Sequence, residues 1–422
     1  MENKQNYIIG LDLGESYAQI SYVSFEGEEG DKYNIPMCLC KRNGANQWLC
    51  GEEALRFAAT GKGVVVKNLL QLALEGQSVV VEDKETDPVD LLDLFIKNVL
   101  LSLGVYEEDA CVKVMAVALQ ELSPRVLEIF ERMKASSMRT FEEVYLITKE
   151  ESLFYYTVHQ PKELRSYESL VLDLSGSLLK TYRIEMNYRT KPILTTIEEM
   201  VHEDIVIPEE FTSIMEKDRY LEETDEKLCE IMSRMMEGKI VTGVYLVGKI
   251  FEKEWCPKTL KLLCKNRRVF GGSNLYSKGA CLGGMEKVAP GETVKSYVYL
   301  GKEKLKSDIG VSRIEQGKTV TDILLHGGVN WFDAMTSFIF MPGEDYHLPI
   351  VIAPMDGSKE RIVPVILPEF ANRDIKSLKF FCKLYMKSDK ELALEIEDMG
   401  FGEFYQPTGR KFEEIILLGG NA

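Results

Sequence analysis

Apolar positions recur along this chain in two periods. Residues 7–12 are near-continuously apolar up to Asp12, the pattern of a buried strand, and residues 18–23 read as its hairpin partner. Gly14, Glu15 and Ser16 fall in the turn between them. Residues 91–103 carry apolar side chains at 91, 92, 95, 96, 99, 100 and 103, the spacing of an amphipathic helix, with Gly104 where a stop belongs. Residues 112–119 predict a strand covered on both faces. Ser123-Pro124 then predicts a capped helix start, with the helix running to about Lys134. A short strand is expected at 144–147, followed by a helix.

Residues 169–174 repeat the opening pattern. Each copy has an apolar strand, a Leu-Asp-Leu, then a turn of small residues, and Asp12 and Asp173 stand in equivalent places. Similarity at that distance predicts two lobes built on one plan, not a short-period repeat. A helix is expected at 225–237, a strand at 243–247 ending in Gly248, and a helix from about Pro257. Around Val288-Ala289-Pro290-Gly291 the character changes to strands and turns. Leu378, Phe380, Cys382 and Leu384 share one face, and Leu392, Leu394 and Ile396 another, on either side of Ser388-Asp389-Lys390. That alternation predicts a half-buried antiparallel hairpin. No long helix is expected after residue 290.

Composition narrows the function classes. The chain has 422 residues with 45% apolar and 28% charged residues, a globular balance with room for two or three domains. Its net charge of −16 argues against nonspecific nucleic-acid binding, which depends on basic side chains neutralising phosphates, and against an anionic membrane surface. Eleven acidic and three basic residues fall between positions 203 and 230. Such a stretch repels itself, so residues 203–224 are expected to be exposed and loosely structured. The start shows no basic region followed by an apolar run, and residues 91–103 are too short and too charged to span a bilayer. A cytoplasmic protein is expected. Nine cysteines without a spacing framework read as free thiols, and Cys38, Cys40 and Cys50 lack the paired spacing of a zinc site. His159, His202, His326 and His347 stand too far apart in sequence to suggest a catalytic or metal-binding group.

The chemistry lies in the two turns. A strand ending in Asp-Leu-Gly, followed by hydroxyl residues, brings backbone N–H groups to phosphate oxygens and sets a carboxylate beside a metal-bound water. Gly10-Leu11-Asp12-Leu13-Gly14, Leu172-Asp173-Leu174-Ser175-Gly176 and the strand leading to Gly248 follow in the order of the three nucleotide-binding segments of the actin and heat-shock-seventy (DnaK-type) ATPases. The sequence resembles that superfamily over most of residues 6–288. Lys278-Gly279-Ala280-Cys281 looks like its closing Gly-Ala helix, and Val66-Lys67-Asn68 is similar to its catalytic-lysine segment.

The resemblance implies an α/β, two-lobed actin-like ATPase fold at 1–288, with lobes of about 1–160 and 161–288 and a reduced nucleoside-stacking subdomain. A linker at 289–295 and a β-sandwich-like domain at 296–422, without a helical lid, would follow. It implies ATP or ADP held by Asp12, Gly14, Ser16, Ser175, Gly176, Ser177 and Gly248. Asp12 and Asp173 would hold magnesium through water, and Lys67, Asp173 and Glu150 would serve catalysis. Segments at 267–270, 274–281 and 400–403 are also similar to a family of short chaperone-like bacterial proteins of unknown function.

The sequence departs from the chaperone pattern where the chemistry is done. Glu15 stands for a turn hydroxyl. Leu178 and Lys180 replace a hydroxyl and a carboxylate past the second turn. Lys149 stands where a water-orienting glutamate is wanted, with Glu150 next to it. A pseudo-ATPase scaffold with at most weak nucleotide binding is therefore expected. Its partner would be a protein or peptide, engaged through the β-rich domain. The alternative is a nucleotide-gated chaperone-like binder with slow hydrolysis. A filament former or small-molecule kinase on the same fold would not need that appended domain.

Overall fold

A computed structural model describes residues 5–25, 27, 29–103, 110–136, 138, 141–176, 178–208, 211–343, 346–367 and 374–418. The chain divides into two compact units, Met1–Met186 with Thr195–Tyr297, and Asn187–Leu194 with Val298–Ala422. The N-terminal region is mixed α/β with mixed sheets, and the C-terminal region is all-antiparallel β.

The chain opens with β1 (Gln5–Leu13), β2 (Tyr17–Ser24) and β3 (Glu29–Pro36). A small three-stranded sheet follows, made of β4 (Cys38–Arg42), β5 (Trp48–Cys50) and β6 (Gly63–Lys67), with α1 (Gly51–Ala58) before β6. Next come α2 (Leu69–Glu75), the β7 (Val79–Val81) and β8 (Lys84–Thr86) pair, and α3 (Pro88–Leu101). Then β9 (Ala110–Leu119), α4 (Pro124–Lys134), β10 (Glu143–Thr148), α5 (Lys149–Val158) and α6 (Lys162–Arg165) complete the first half. Pro124 opens α4 and the Ser123 hydroxyl accepts the Val126 N–H at 3.4 Å, as the sequence predicts. Gly104, the expected stop of α3, lies outside the described residues.

The second half contains β11 (Glu168–Asp173), β12 (Leu178–Asn187), β13 (Ile193–Val206), α7 (Ile214–Met236), β14 (Val241–Val247), α8 (Pro257–Leu263), β15 (Arg268–Gly271), α9 (Leu275–Val288), α10 (Glu292–Lys295) and β16 (Tyr297–Tyr299). Its sheet order is β15-β14-β11-β12-β13-β16, and the first sheet runs β10-β9-β1-β2-β3. The two share a plan. β1 pairs antiparallel with β2 and parallel with β9, and β10 joins β9 in parallel. β11 pairs antiparallel with β12 and parallel with β14, and β15 joins β14 in parallel. The repeated Leu-Asp-Leu thus ends the equivalent strand of two equivalent sheets.

Helix α9 packs closely on both β1 and α5. A Cβ added at Gly10 would sit 2.0 Å from the Ser277 carbonyl oxygen, and one at Gly279 would sit 2.1 Å from that of Ser152. Glycine is what allows backbones to approach this closely. The resulting core joins both sheets, with Ala116, Ala118, Val171, Val247 and Tyr276 in one cluster.

The acidic stretch corrects an expectation. Residues 203–206 belong to β13, and residues from Ile214 are helical in α7. Local capping overcomes the charge. The Ser213 hydroxyl accepts the Glu216 N–H at 3.2 Å, and the Glu216 carboxylate accepts the Thr212 N–H at 3.0 Å, a reciprocal cap. Further along, Asp225 is buried, its two oxygens accepting the Lys258 and Thr259 N–H groups at 2.8 and 2.9 Å at the start of α8. The charged side chains of the first turns do face solvent.

The C-terminal strands are β17 (Ser307–Glu315), β18 (Lys318–Leu325), β19 (Met335–Phe340), β20 (His347–Pro354), β21 (Arg361–Ile366), β22 (Phe380–Met386), β23 (Glu391–Asp398) and β24 (Lys411–Leu417). They form two sheets, β18-β17-β20-β21 and β19-β22-β23-β24. Ile309, Ile350 and Val365 from one meet Phe380, Leu384 and Leu394 from the other in one core. The expected hairpin is β22–β23, with Leu384 opposite Leu394. Among the described residues, the only helical segments after residue 290 are short.

Candidate functional site

The two repeated turns lie at the ends of β1 and β11. Asp12 is buried, one residue before the end of β1, directly opposite Gln19 of β2. Gly14 tightens the turn by donating its N–H to the Tyr17 carbonyl at 3.0 Å. Glu15 and Ser16 are exposed, and the Ser16 carbonyl accepts the Met37 N–H at 2.8 Å. At the second turn, Asp173 is buried and its Oδ1 accepts the Ser175 N–H at 2.7 Å, so the carboxylate holds its own turn. Ser175 is half-buried and Gly176 exposed, while Ser177 lies outside the described residues. Gly248 follows β14 at φ 122°, and a Cβ there would lie 2.5 Å from the Leu174 carbonyl oxygen. The third segment therefore docks on the second turn through a position that only glycine fills.

Lys149 brings the two turns together. It is the first residue of α5, a helix whose start is capped by the Thr148 hydroxyl accepting the Glu151 N–H at 3.1 Å. Its side chain is buried, with Nζ 3.5 Å from Asp12 Oδ1, an ion pair too long for a good hydrogen bond. The same ammonium lies 4.6 Å from the centre of the Tyr276 ring, a cation–π contact. The Tyr276 hydroxyl donates to Asp173 Oδ2 at 2.6 Å. An aspartate from each half is thus joined through one lysine and one tyrosine, contributed by α5 and α9.

The electrostatics follow from burial. Burial alone would disfavour the Lys149 ammonium, but the Asp12 and Asp173 carboxylates outweigh it and hold its pKa above the ordinary lysine value. Burial pushes the Asp12 carboxyl above its usual range; Lys149 offsets part of that and Asp173 adds to it. Burial, reinforced by Asp173, also raises the Tyr276 hydroxyl, so it serves as a neutral donor. Among the described residues, Asp12 Oδ1 and Gln19 Oε1, on opposed positions of the same hairpin, are both buried without a hydrogen bond.

The remaining candidates are dispersed. Lys67 is exposed at the end of β6, in register with Cys38, and among the described contacts none links it to Asp12 or Asp173. Glu150 is half-buried, one position past Lys149 on α5. Lys180 stands opposite Asp173 in register, but its ammonium pairs with Glu199 at 3.4 Å. A depression of about 380 Å³ opens beside Gly248, lined by Phe251, Glu252, Gly271, Gly272, Ser273 and Asn274. No group of three or more metal-ligating side chains occurs among the described residues. The pair Asp12 and Asp173 does not fit a divalent cation as arranged, because a fixed ammonium lies against Asp12 and a hydroxyl donor fills Asp173 Oδ2. No helix among the described residues is long and apolar enough to cross a membrane.

The sequence marked Lys149 as a departure but gave it no role, and it left Tyr276 unmarked. The Tyr276 hydroxyl finds its partner 103 positions away, through the crossing of α9, and no local spacing encodes that.

Comparison with known proteins adds family membership. No curated protein matches the chain. Residues 304–418 match a domain of unknown function, DUF8552, and residues 21–302 match the C-terminal part of a family of unknown function, DUF5716. Neither description names an actin-type or heat-shock-seventy protein, so that likeness rests on the sequence motifs alone. Since the second match spans more than half of the sequence, the chain belongs to the DUF5716 family of unknown function.

Proposed function

We propose that residues 1–288 form a two-lobed, actin-type nucleotide-binding fold whose phosphate site is filled from within. The chain would then act as a pseudo-ATPase interaction scaffold with at most weak nucleotide binding. One observation carries this reading: the Lys149 ammonium lies against Asp12 and over the Tyr276 ring, whose hydroxyl holds Asp173. In an active site of this type, metal and phosphates need that space, and catalysis rests on positioning water, metal and charge together. The replaced positions Leu178 and Lys180 point the same way. The C-terminal β region supplies the surface for a protein or peptide partner.

A second reading, a nucleotide-gated binder with slow hydrolysis, draws support from the depression beside Gly248. A sensitive phosphate-release assay with ATP and magnesium separates the two. The scaffold reading predicts no turnover above background. Turnover that disappears in Asp12→Ala or Lys67→Ala would overturn it.

A further inference from the structure

Among the described residues, the four edge strands of the C-terminal β region are not equally protected. β18 carries Lys318 and Asp322, β21 carries Arg361 and Pro364, and β24 carries Lys411, Glu413 and Glu414. Charges and prolines of this kind stop an edge from pairing with another chain. β19 has none: Met335, Thr336, Ser337, Phe338, Ile339 and Phe340 are followed by Met341, and the first interruption is Pro342. Among the described residues β19 pairs with β22 alone, so its other edge has no strand hydrogen-bonded to it, although β18 of the facing sheet comes close to β19.

Both faces of this edge are under-buried. On the outer face Met335, Ile339 and Met341 are 62, 52 and 58% exposed, and Phe381 stands beside Ile339 in register. On the inner face Phe338 and Phe340, which border the core, are only half-buried.

We propose that β19 pairs antiparallel with β19 of a second copy of this chain, joining two four-stranded sheets into one of eight. The strand is nearly self-complementary about Phe338. A twofold axis there sets Met335 opposite Met341 and Ser337 opposite Ile339 on the outer face. On the inner face it sets Thr336 opposite Phe340 and Phe338 opposite itself. Met335–Met341 and Phe338–Phe338 set apolar against apolar, Ser337 and Thr336 are small hydroxyl residues facing Ile339 and Phe340, and no charge faces another across the junction. The pairing also covers the two half-buried phenylalanines. It is independent of the nucleotide reading. With a net charge of −16 on each copy, association is opposed at long range and strengthens as salt screens it.

Sedimentation equilibrium of the full chain at 5–200 µM (about the usual range), in about 0.05 and 0.5 M salt, tests this. The expected result is a concentration-dependent rise from 48.0 kDa toward twice that mass, stronger at high salt. Ile339→Lys and Ser337→Lys place a guard on the open edge and are expected to weaken association at least about tenfold while keeping the circular dichroism spectrum. Ile415→Lys, on the outer face of β24, is the control and leaves it unchanged. A strict monomer throughout, or a dimer indifferent to both β19 variants, overturns the proposal.

Discussion

Lys149 shares its site with two buried carboxylates, and removing its ammonium leaves both without that counter-charge. Breaking one side of a buried ion pair costs about 3–5 kcal/mol, so Lys149→Met is expected to lose that much at neutral pH in urea unfolding. The loss carries a pH sign. Asp12 already titrates above its usual range, and without Lys149 it rises further. A carboxyl with a raised folded pKa binds its proton more tightly folded than unfolded. Stability is therefore fullest in acid and falls as pH rises from the unfolded value of about 3.9 through the folded one. The Lys149→Met midpoint should thus drop more steeply as pH rises above about 4 than that of the unaltered protein. Parallel profiles would contradict the role given to Lys149. The unaltered protein also gains from the raised Lys149 pKa. That gain is complete below the unfolded lysine value of about 10.4 and is lost as pH climbs through the folded one. Tyr276→Phe orphans one buried carboxylate oxygen and is expected to cost about 1–3 kcal/mol.

Elements were legible in the sequence where a period or a cap writes them locally. The repeated Leu-Asp-Leu strands, α4 behind Ser123-Pro124 and the β22–β23 hairpin all fall where the apolar spacing sets them. The first turns of α7 were not legible, because charge counting ignores the reciprocal Ser213–Glu216 cap and the Asp225 contact with α8. The same limit hid the centre of the site. A lysine in place of a glutamate was visible in the sequence, but its placement against Asp12 depends on how α5 and α9 cross. That crossing rests on glycine contacts and makes its own prediction. Gly279→Ala drives a Cβ into the Ser152 carbonyl and is expected to cost about 1–3 kcal/mol, whereas Gly176→Ala meets open space and changes stability by less than about 0.5 kcal/mol. Thermal melts of the two variants check the contrast.

At the scale of the whole molecule, each compact unit has its own buried core. Leu384→Ala opens a cavity in the core of the second unit and should destabilise it by about 2–5 kcal/mol. Hydrogen exchange in β17 and β20–β23 is expected to quicken while β1 and β9 keep their protection, a pattern readable peptide by peptide. The central claim is that the buried site joining the repeated turns carries its own cation, Lys149. Isothermal titration with ATP and ADP, with and without magnesium, tests it most directly when the unaltered protein is set beside Lys149→Ala. The account predicts no resolved heat for the unaltered protein and magnesium-dependent nucleotide binding gained by Lys149→Ala, because removal of the ammonium frees Asp12 and Asp173 for a metal. Tight magnesium-nucleotide binding by the unaltered protein, weakened by Lys149→Ala, would contradict it.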